Sequence, residues 1–252
     1  MIQGLTPLHA AHRILAKLSK IEINALLQLG IEVMERKGDG TYTVRMGNQT
    51  FQTKSEIPLA PAKEYWVDIE RTKEGVIHLT KPHPKPAMLK KDGFLPIGER
   101  LLADIAEDSD PAEGLKERIM QMMAAAQSKE SFQSLSQLLL SLHHGVVTIP
   151  FEERGRRALL QMRKGESGET LNEKSVEFYA AFNNLGPVEG AIARHGEKRV
   201  VKLEVFYPKT ARLLEDLKGE LPGFSQVTVA LRPSAILPFW ENDTLGLLDI
   251  RG

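Results

Sequence analysis

The chain has 252 residues, of which 42% are hydrophobic and 26% charged, and its formal net charge is zero. These values are ordinary for a globular protein, and a neutral chain lacks a global field that would attract nucleic acid or an anionic membrane. Because the sequence has no cysteine, disulfides, thiolate metal sites and cysteine nucleophiles are excluded. The sequence shows neither a transmembrane run nor the pattern of a cleaved signal, so we expect a soluble cytoplasmic protein.

Residues 1–81 predict a leading helix followed by a small β-barrel. The helix, over residues 6–27, begins with Thr6 and Pro7, a plausible cap and first-turn pair. Five short segments of strand character follow, with turn residues between them, over residues 31–80. Five strands in about 50 residues suit a small barrel of the SH3 or OB kind.

The middle of the chain predicts a linker and then helices. Residues 82–96 contain lysines and open with alternating prolines at positions 82, 84 and 86, which forbid a helix and favour an extended linker. Residues 97–145 read as a helical segment. One helix starts at Asp110-Pro111, and another runs from about Ser131 to Leu142.

Residues 146–232 return to strand patterns and predict a mixed α/β domain, so the fold class of the whole chain is α+β. A helix that opens at Pro208 stands between the last two predicted strands. In the strand before this helix, Val201, Leu203, Val205 and Tyr207 are expected to share one side. Residues 233–252 form an apolar tail, which either docks onto a domain or binds a partner.

Residues 146–232 resemble the C-terminal domain of flagellar hook-length control proteins. The opening strand Val147–Phe151, with its Ile149-Pro150 pair, and the paired strand over residues 158–164 carry part of the resemblance. The strand over residues 202–206 and the helix over residues 211–221, with its paired leucines, carry another part. Between them stands a match to the family's Leu-Gly-x-Val-Glu signature, formed by Leu185, Gly186, Pro187, Val188 and Glu189.

The resemblance implies a non-enzymatic protein that acts on the flagellar type III export apparatus. The implied partner is the cytoplasmic domain of the export gate, and the implied effect is a switch of secretion from hook to filament subunits. Hook-cap or hook proteins are further implied partners, and export through the flagellar channel is left open. The family's long, polar N-terminal ruler is replaced here by segments that read as folded, so the resemblance implies switching rather than measuring.

In this interpretation the turn over residues 185–189 faces the partner. The alternative is a strand connection in which glycine and proline serve the geometry of the turn alone.

A second hypothesis concerns the barrel. Residues 1–91 carry 14 lysines and arginines against 9 aspartates and glutamates. Small barrels bind single-stranded nucleic acid by stacking bases on aromatic side chains beside basic groups, and Tyr42, Phe51, Tyr65 and Trp66 are the candidates. A solvated basic surface over buried aromatic residues explains the same pattern. A third hypothesis is a structural adaptor that dimerises through its apolar tail.

The histidines give no metal motif. His143 and His144 are neighbours and would point about 100° apart on a helix, whose C-terminus favours histidine in any case. His9 and His12 have helical spacing but lack a third ligand nearby. We therefore expect no metal, no cofactor and no enzymatic activity.

Overall fold

The computed structural model describes residues 29–71, 77–90, 94–97, 111–153, 155–165, 175–195, 198–221 and 223–241. Within these ranges the chain forms a closed β-barrel, a six-stranded sheet and three α-helices, which is the mixed α+β architecture predicted from the sequence. Among the helices described, none has the length and apolar character needed to cross a membrane. The predicted helix over residues 6–27, with His9 and His12, lies outside the described residues.

The barrel has five strands: β1 (Leu29–Arg36), β2 (Tyr42–Met46), β3 (Gln49–Ser55), β4 (Glu64–Arg71) and β5 (Ile77–Pro84). Their order is β1-β2-β3-β5-β4, and β4 pairs with β1 to close the barrel. Only β3 and β5 run parallel. This strand order is that of a Greek key, because β4 returns to lie beside β1. Alternate residues point inward and form the barrel core: Ile31, Val33, Val44, Val67 and Leu79.

The six-stranded sheet has the order β11-β10-β9-β8-β7-β6. Its strands are β6 (Val147–Glu153), β7 (Arg156–Lys164), β8 (Ser175–Phe182), β9 (Gly186–His195), β10 (Lys198–Val205) and β11 (Gln226–Leu231). All neighbours are antiparallel except β10 and β11, which are parallel. The helix α3 (Pro208–Leu217) makes that crossover, and it begins at the proline that the sequence indicated.

Helices cover one face of this sheet, which we call the helical face. The helices α1 (Pro111–Ala124) and α2 (Lys129–His143) bury Leu115, Ile119, Leu135 and Leu138 in the same core as the strand residues of that face. Ser128 caps α2, since its side chain accepts a hydrogen bond from the Ser131 N–H at 3.1 Å.

The opposite face, which we call the junction face, lies against the barrel and the C-terminal tail. Leu159, Tyr179 and Ala181 of the sheet form one buried cluster with Trp66 of the barrel and Ile236 of the tail. Because both faces are covered, five consecutive residues of β7, Ala158–Met162, are buried without alternation.

Two local predictions differ from the structure. The stretch predicted as a linker, residues 82–96, begins inside β5, and its His83 and Leu89 are buried in the junction, so this part of the chain packs against the sheet. The strand β10 ends at Val205, so Tyr207 leaves the side shared by Val201, Leu203 and Val205 and packs in the junction cluster instead.

Candidate partner-binding site

The predicted site lies on the turn between β8 and β9. Gly186 begins β9 with a φ of 76°, in the left-handed region that favours glycine. A Cβ atom at this position would also lie 2.8 Å from the ring of Tyr207, which is closer than two non-bonded carbon atoms approach each other. Glycine is therefore required both by the backbone conformation and by the close approach of Tyr207.

Hydrogen bonds hold the turn from two sides. In the first turn of α3, Thr210 Oγ1 donates to the carbonyl oxygen of Leu185 at 2.8 Å. From the barrel, Trp66 Nε1–H lies 3.0 Å from the carbonyl oxygen of Phe182 and 3.1 Å from that of Asn183 and donates to both. The turn is therefore part of the contact between the barrel and the sheet.

Burial limits what a partner can reach at this turn. Leu185 is 2% exposed, Val188 is 0% exposed, and Gly186 and Pro187 are also buried. These four residues shape and anchor the turn, which is the role that the strand-connection alternative gave them. Binding of a partner by the turn stays a prediction.

Glu189 is the candidate residue that keeps an accessible functional group. Its carboxylate lies 2.7 Å from Arg232 Nη1, and its side chain is 27% exposed. Arg232 also lies 3.7 Å from the Glu204 carboxylate. Asn184, in the turn itself, is exposed as well. A partner that binds the folded chain here would meet Asn184 and this small charged group.

Beside the turn, Tyr207 links the barrel to the sheet. Its hydroxyl lies 3.1 Å from the carbonyl oxygen of Trp66 and 3.0 Å from that of Lys81, and it donates toward both. Burial raises the pKa of Tyr207, and the charge of Asp68 adds to the rise, so the phenol keeps its proton. The side chain is thus a fixed donor rather than an acid.

His83 lies in the same junction between two aromatic rings. Its ring centroid is 5.6 Å from that of Trp66 and 5.7 Å from that of Phe206. Burial lowers the pKa of His83, while the backbone carbonyls of Pro84 and Ile236 oppose the shift. Nδ1 lies 2.9 Å from the Pro84 carbonyl oxygen, so the neutral tautomer that fits carries its proton on Nδ1.

Lys85 adds a cation to this junction. Its Nζ lies 3.6 Å from the Glu64 carboxylate and 5.8 Å from the centre of the Trp66 ring. Burial lowers the pKa of Lys85, and the charge of Glu64 works against that shift. The Lys85 side chain is only 7% exposed, whereas the Glu64 side chain is 29% exposed, so the cation is the more buried member of the pair.

The aromatic residues considered for nucleic-acid stacking occupy structural positions. Tyr42, Tyr65 and Trp66 are buried, and Phe51 packs partly against the barrel core. The hydroxyls of Tyr42 and Tyr65 accept hydrogen bonds from the backbone N–H groups of residues 59 and 60, at 3.2 and 2.9 Å. Three of the four rings therefore offer no free face on which a base would stack.

The first part of the apolar tail docks on the junction face, one of the two outcomes considered for it. The Gln161 amide donates to the carbonyl oxygen of Trp240 at 2.6 Å and accepts from its N–H at 3.2 Å. The ring of Phe239 lies 4.1 Å from the Arg163 guanidinium, and Glu241 accepts a hydrogen bond from the Ala87 N–H at 2.7 Å. Residues 242–252 lie outside the described residues.

The histidine pair at the end of α2 gathers no ligand set. His143 and His144 are exposed, with ring centroids 5.7 Å apart. Over the described part of the chain, no three histidine, aspartate or glutamate side chains are grouped so that they would hold a metal ion.

Sequence reasoning missed the junction residues His83, Gln161 and Tyr207. His83 stands among prolines, which suggested a free linker. Gln161 did carry a signal, because a single amide inside the buried run over residues 158–162 needs a hydrogen-bonding partner. Tyr207 was assigned to the wrong side because the end of β10 was placed two residues too late.

Comparison of the chain with family models, curated proteins and solved structures finds no match.

Proposed function

We propose that this chain is a non-enzymatic, hook-length control-like factor that acts on the flagellar type III export apparatus. Through residues 146–232 it binds the cytoplasmic domain of the export gate and switches secretion from hook to filament subunits. Its barrel supports that domain from the junction face.

The observation that carries the proposal is the arrangement of the residues that resemble the family. Ile149-Pro150 lies in β6, the signature residues 185–189 join β8 to β9, and the paired leucines lie on α3. These segments are consecutive parts of one six-stranded sheet with its crossover helix. Such continuity is what a shared domain requires.

The first test is genetic. In the bacterium that carries this gene, the gene is deleted and hook length is measured by electron microscopy. We expect hooks of uncontrolled length and missing filaments, with both defects restored by a plasmid copy. Normal hooks and normal motility in the deletion strain would refute the proposal.

The second test addresses the predicted contact. Glu189→Gln removes the charge that faces solvent beside Arg232 and keeps the shape of the side chain. Glu177→Gln is a matched control, because Glu177 is also 27% exposed and also pairs with an arginine, Arg163, at 2.7 Å. Binding to the purified cytoplasmic domain of the export gate is measured by calorimetry. We expect Glu189→Gln to weaken binding by about tenfold, typical of a charged contact, and Glu177→Gln to leave it unchanged. Equal affinity of both variants and the unmodified chain would place the contact elsewhere.

A further inference from the structure

The outer edge of β11 differs from the other strand edges in the described structure. The barrel is closed and has no edge. At the other end of the sheet, β6 contains Pro150, which lacks an N–H, and the Pro150 carbonyl oxygen accepts a hydrogen bond from the Ile97 N–H at 2.7 Å. Proline and a covering segment are common devices against edge-to-edge pairing. The edge of β6 is therefore protected.

Within the part of the chain that the structure describes, the edge of β11 has none of these devices. Its sequence, Gln226–Leu231, contains no charge, proline or glycine. Its pairing with β10 is continuous, without a bulge. Among the described residues, no strand or segment pairs with its other side. An uncharged, regular strand of this kind is a template for another strand.

The hydrogen bonds between β11 and β10 show which residues of β11 direct their backbone N–H and C=O groups away from the sheet. The Arg232 N–H donates to the Val205 carbonyl oxygen at 2.8 Å, and Val205 pairs with Leu231 in the ladder. In a parallel ladder with this register, alternate residues of β11 direct their backbone groups to β10. Val227, Val229 and Leu231 therefore direct their N–H and C=O groups away from the sheet.

The same three residues are incompletely buried. Val227 and Val229 pack only partly against the core of the helical face, and Leu231 is 50% exposed. An added strand would cover their side chains and satisfy their backbone groups at once. The occupant must therefore bring apolar residues to the helical face at matching positions.

We propose that this occupant is β11 of a second copy of the chain, paired antiparallel about a two-fold axis at Val229. This register places Val229 opposite the second copy's Val229 and Val227 opposite the second copy's Leu231. It engages all three outward-facing residues in about six backbone hydrogen bonds. All the apolar partners lie on the helical face, and β-branched pairs of this kind stabilise sheets.

The lack of charge on β11 and the length of its edge are both compatible with pairing between two copies of the chain. Since β11 is uncharged, two copies bring no like charges opposite each other within the strand. The shared edge of five residues is about 17 Å long, which is short for a permanent interface, so we expect a weak dimer. The inference is independent of the proposed function.

The test uses the full chain and sedimentation equilibrium from about 1 to about 200 µM, the range that suits a weak interface. We expect the average mass to rise from that of one chain toward that of two. A single-chain mass over the whole range would overturn the proposal and would leave the edge to an extended segment of another protein.

Two double variants test the register. On the junction face, Thr228 lies opposite the second copy's Ala230. The double variant Thr228→Lys with Ala230→Lys places two lysines opposite each other at both of these pairs. We expect the repulsion to raise the dissociation constant by about tenfold or more. Thr228→Lys with Ala230→Glu is the matched control, because it sets opposite charges at the same positions and should keep the dimer. Equal effects of the two variants would overturn the two-fold register.

Amide hydrogen exchange provides a readout that does not depend on the variants. In the unmodified chain, exchange at residues 227, 229 and 231 should slow as concentration rises, while exchange at residues 226, 228 and 230 should not change. Circular dichroism checks that both double variants fold. Exchange that is independent of concentration at all six positions would overturn the proposal.

Discussion

Replacing Gly186 by alanine separates two costs that the structure assigns to this position. The first is the φ of 76°, which costs an L-residue about 1–2 kcal/mol. The second is the added Cβ atom, which would meet the Tyr207 ring at 2.8 Å. Tyr207 is buried and its hydroxyl is hydrogen-bonded to the barrel, so the ring has little freedom to move. Overpacking of this kind costs about 1–3 kcal/mol.

Gly155 provides a matched control in the same sheet. Its φ is 74°, but no atom lies within 4 Å of the position a Cβ would take. Gly155→Ala should therefore show the backbone cost alone, about 1–2 kcal/mol, whereas Gly186→Ala should lower the free energy of unfolding by about 2–5 kcal/mol. The difference between the two variants measures the approach of Tyr207.

The assay is urea unfolding of the full chain at fixed temperature, followed by circular dichroism and by tryptophan fluorescence. A double-mutant cycle with Tyr207→Leu completes the test, since removal of the ring should reduce the cost of Gly186→Ala to that of Gly155→Ala. If Gly186→Ala and Gly155→Ala agree within about 0.5 kcal/mol, the error expected for independent sites, the close-approach argument is refuted.

Three further predictions concern the junction and the helices. Gln161→Leu should lower the free energy of unfolding by about 1–3 kcal/mol, because the N–H and C=O of Trp240 lose their hydrogen-bonding partner. Limited proteolysis should then cut the tail sooner than in the unmodified chain, and an unchanged cleavage rate would contradict the docked tail. Burial lowers the pKa of His83 in the folded chain, so its contribution to stability is complete above about pH 6.5 and is lost as the pH falls from there through the folded-state pKa, with a slope of up to about 1.4 kcal/mol per pH unit. Urea titrations between about pH 5 and 7.5 should be flatter for His83→Phe, and parallel curves would argue against this role. Ser128→Ala should cost about 1 kcal/mol by removing the cap on the Ser131 N–H, measured by thermal unfolding, and a neutral substitution would mean that the cap does not stabilise α2.

The elements of this fold follow closely from local sequence patterns. The five barrel strands and the six later strands fall close to the predicted stretches, residues 31–80 and 146–232, because alternation and turn residues act over short distances. Pro208 marks the start of α3 for the same reason. The prolines of residues 82–96 also act locally. They determine that the backbone is extended, but they do not show whether the segment packs against another part of the chain.

The junction was not predictable from such patterns. Trp66 meets the carbonyl oxygen of Phe182 across 116 positions of sequence, and Gln161 meets Trp240 across 79. Alternation shows that a residue is buried, but not which distant surface covers it. For this reason Trp66 was a candidate for stacking nucleic-acid bases, and the two outcomes considered for the tail were left undecided. The turn at Leu185–Gly186 was recognised as a candidate site, but its attachment to the barrel required the three-dimensional arrangement.

Trp66 of the barrel donates a hydrogen bond to the sheet, and Tyr207 donates one from the sheet side to the barrel. These bonds affect whether the barrel and the sheet can exist as separate proteins. The sequence invites a cut at its prolines, yet a barrel released there would carry a solvent-exposed tryptophan and the sheet would carry an exposed tyrosine and an uncovered apolar face. Each half would be prone to aggregate, since each presents the surface that the other normally shields. Gene rearrangements that transplant the barrel alone would therefore be selected against, and the two halves are expected to be inherited, and to change, as a matched pair.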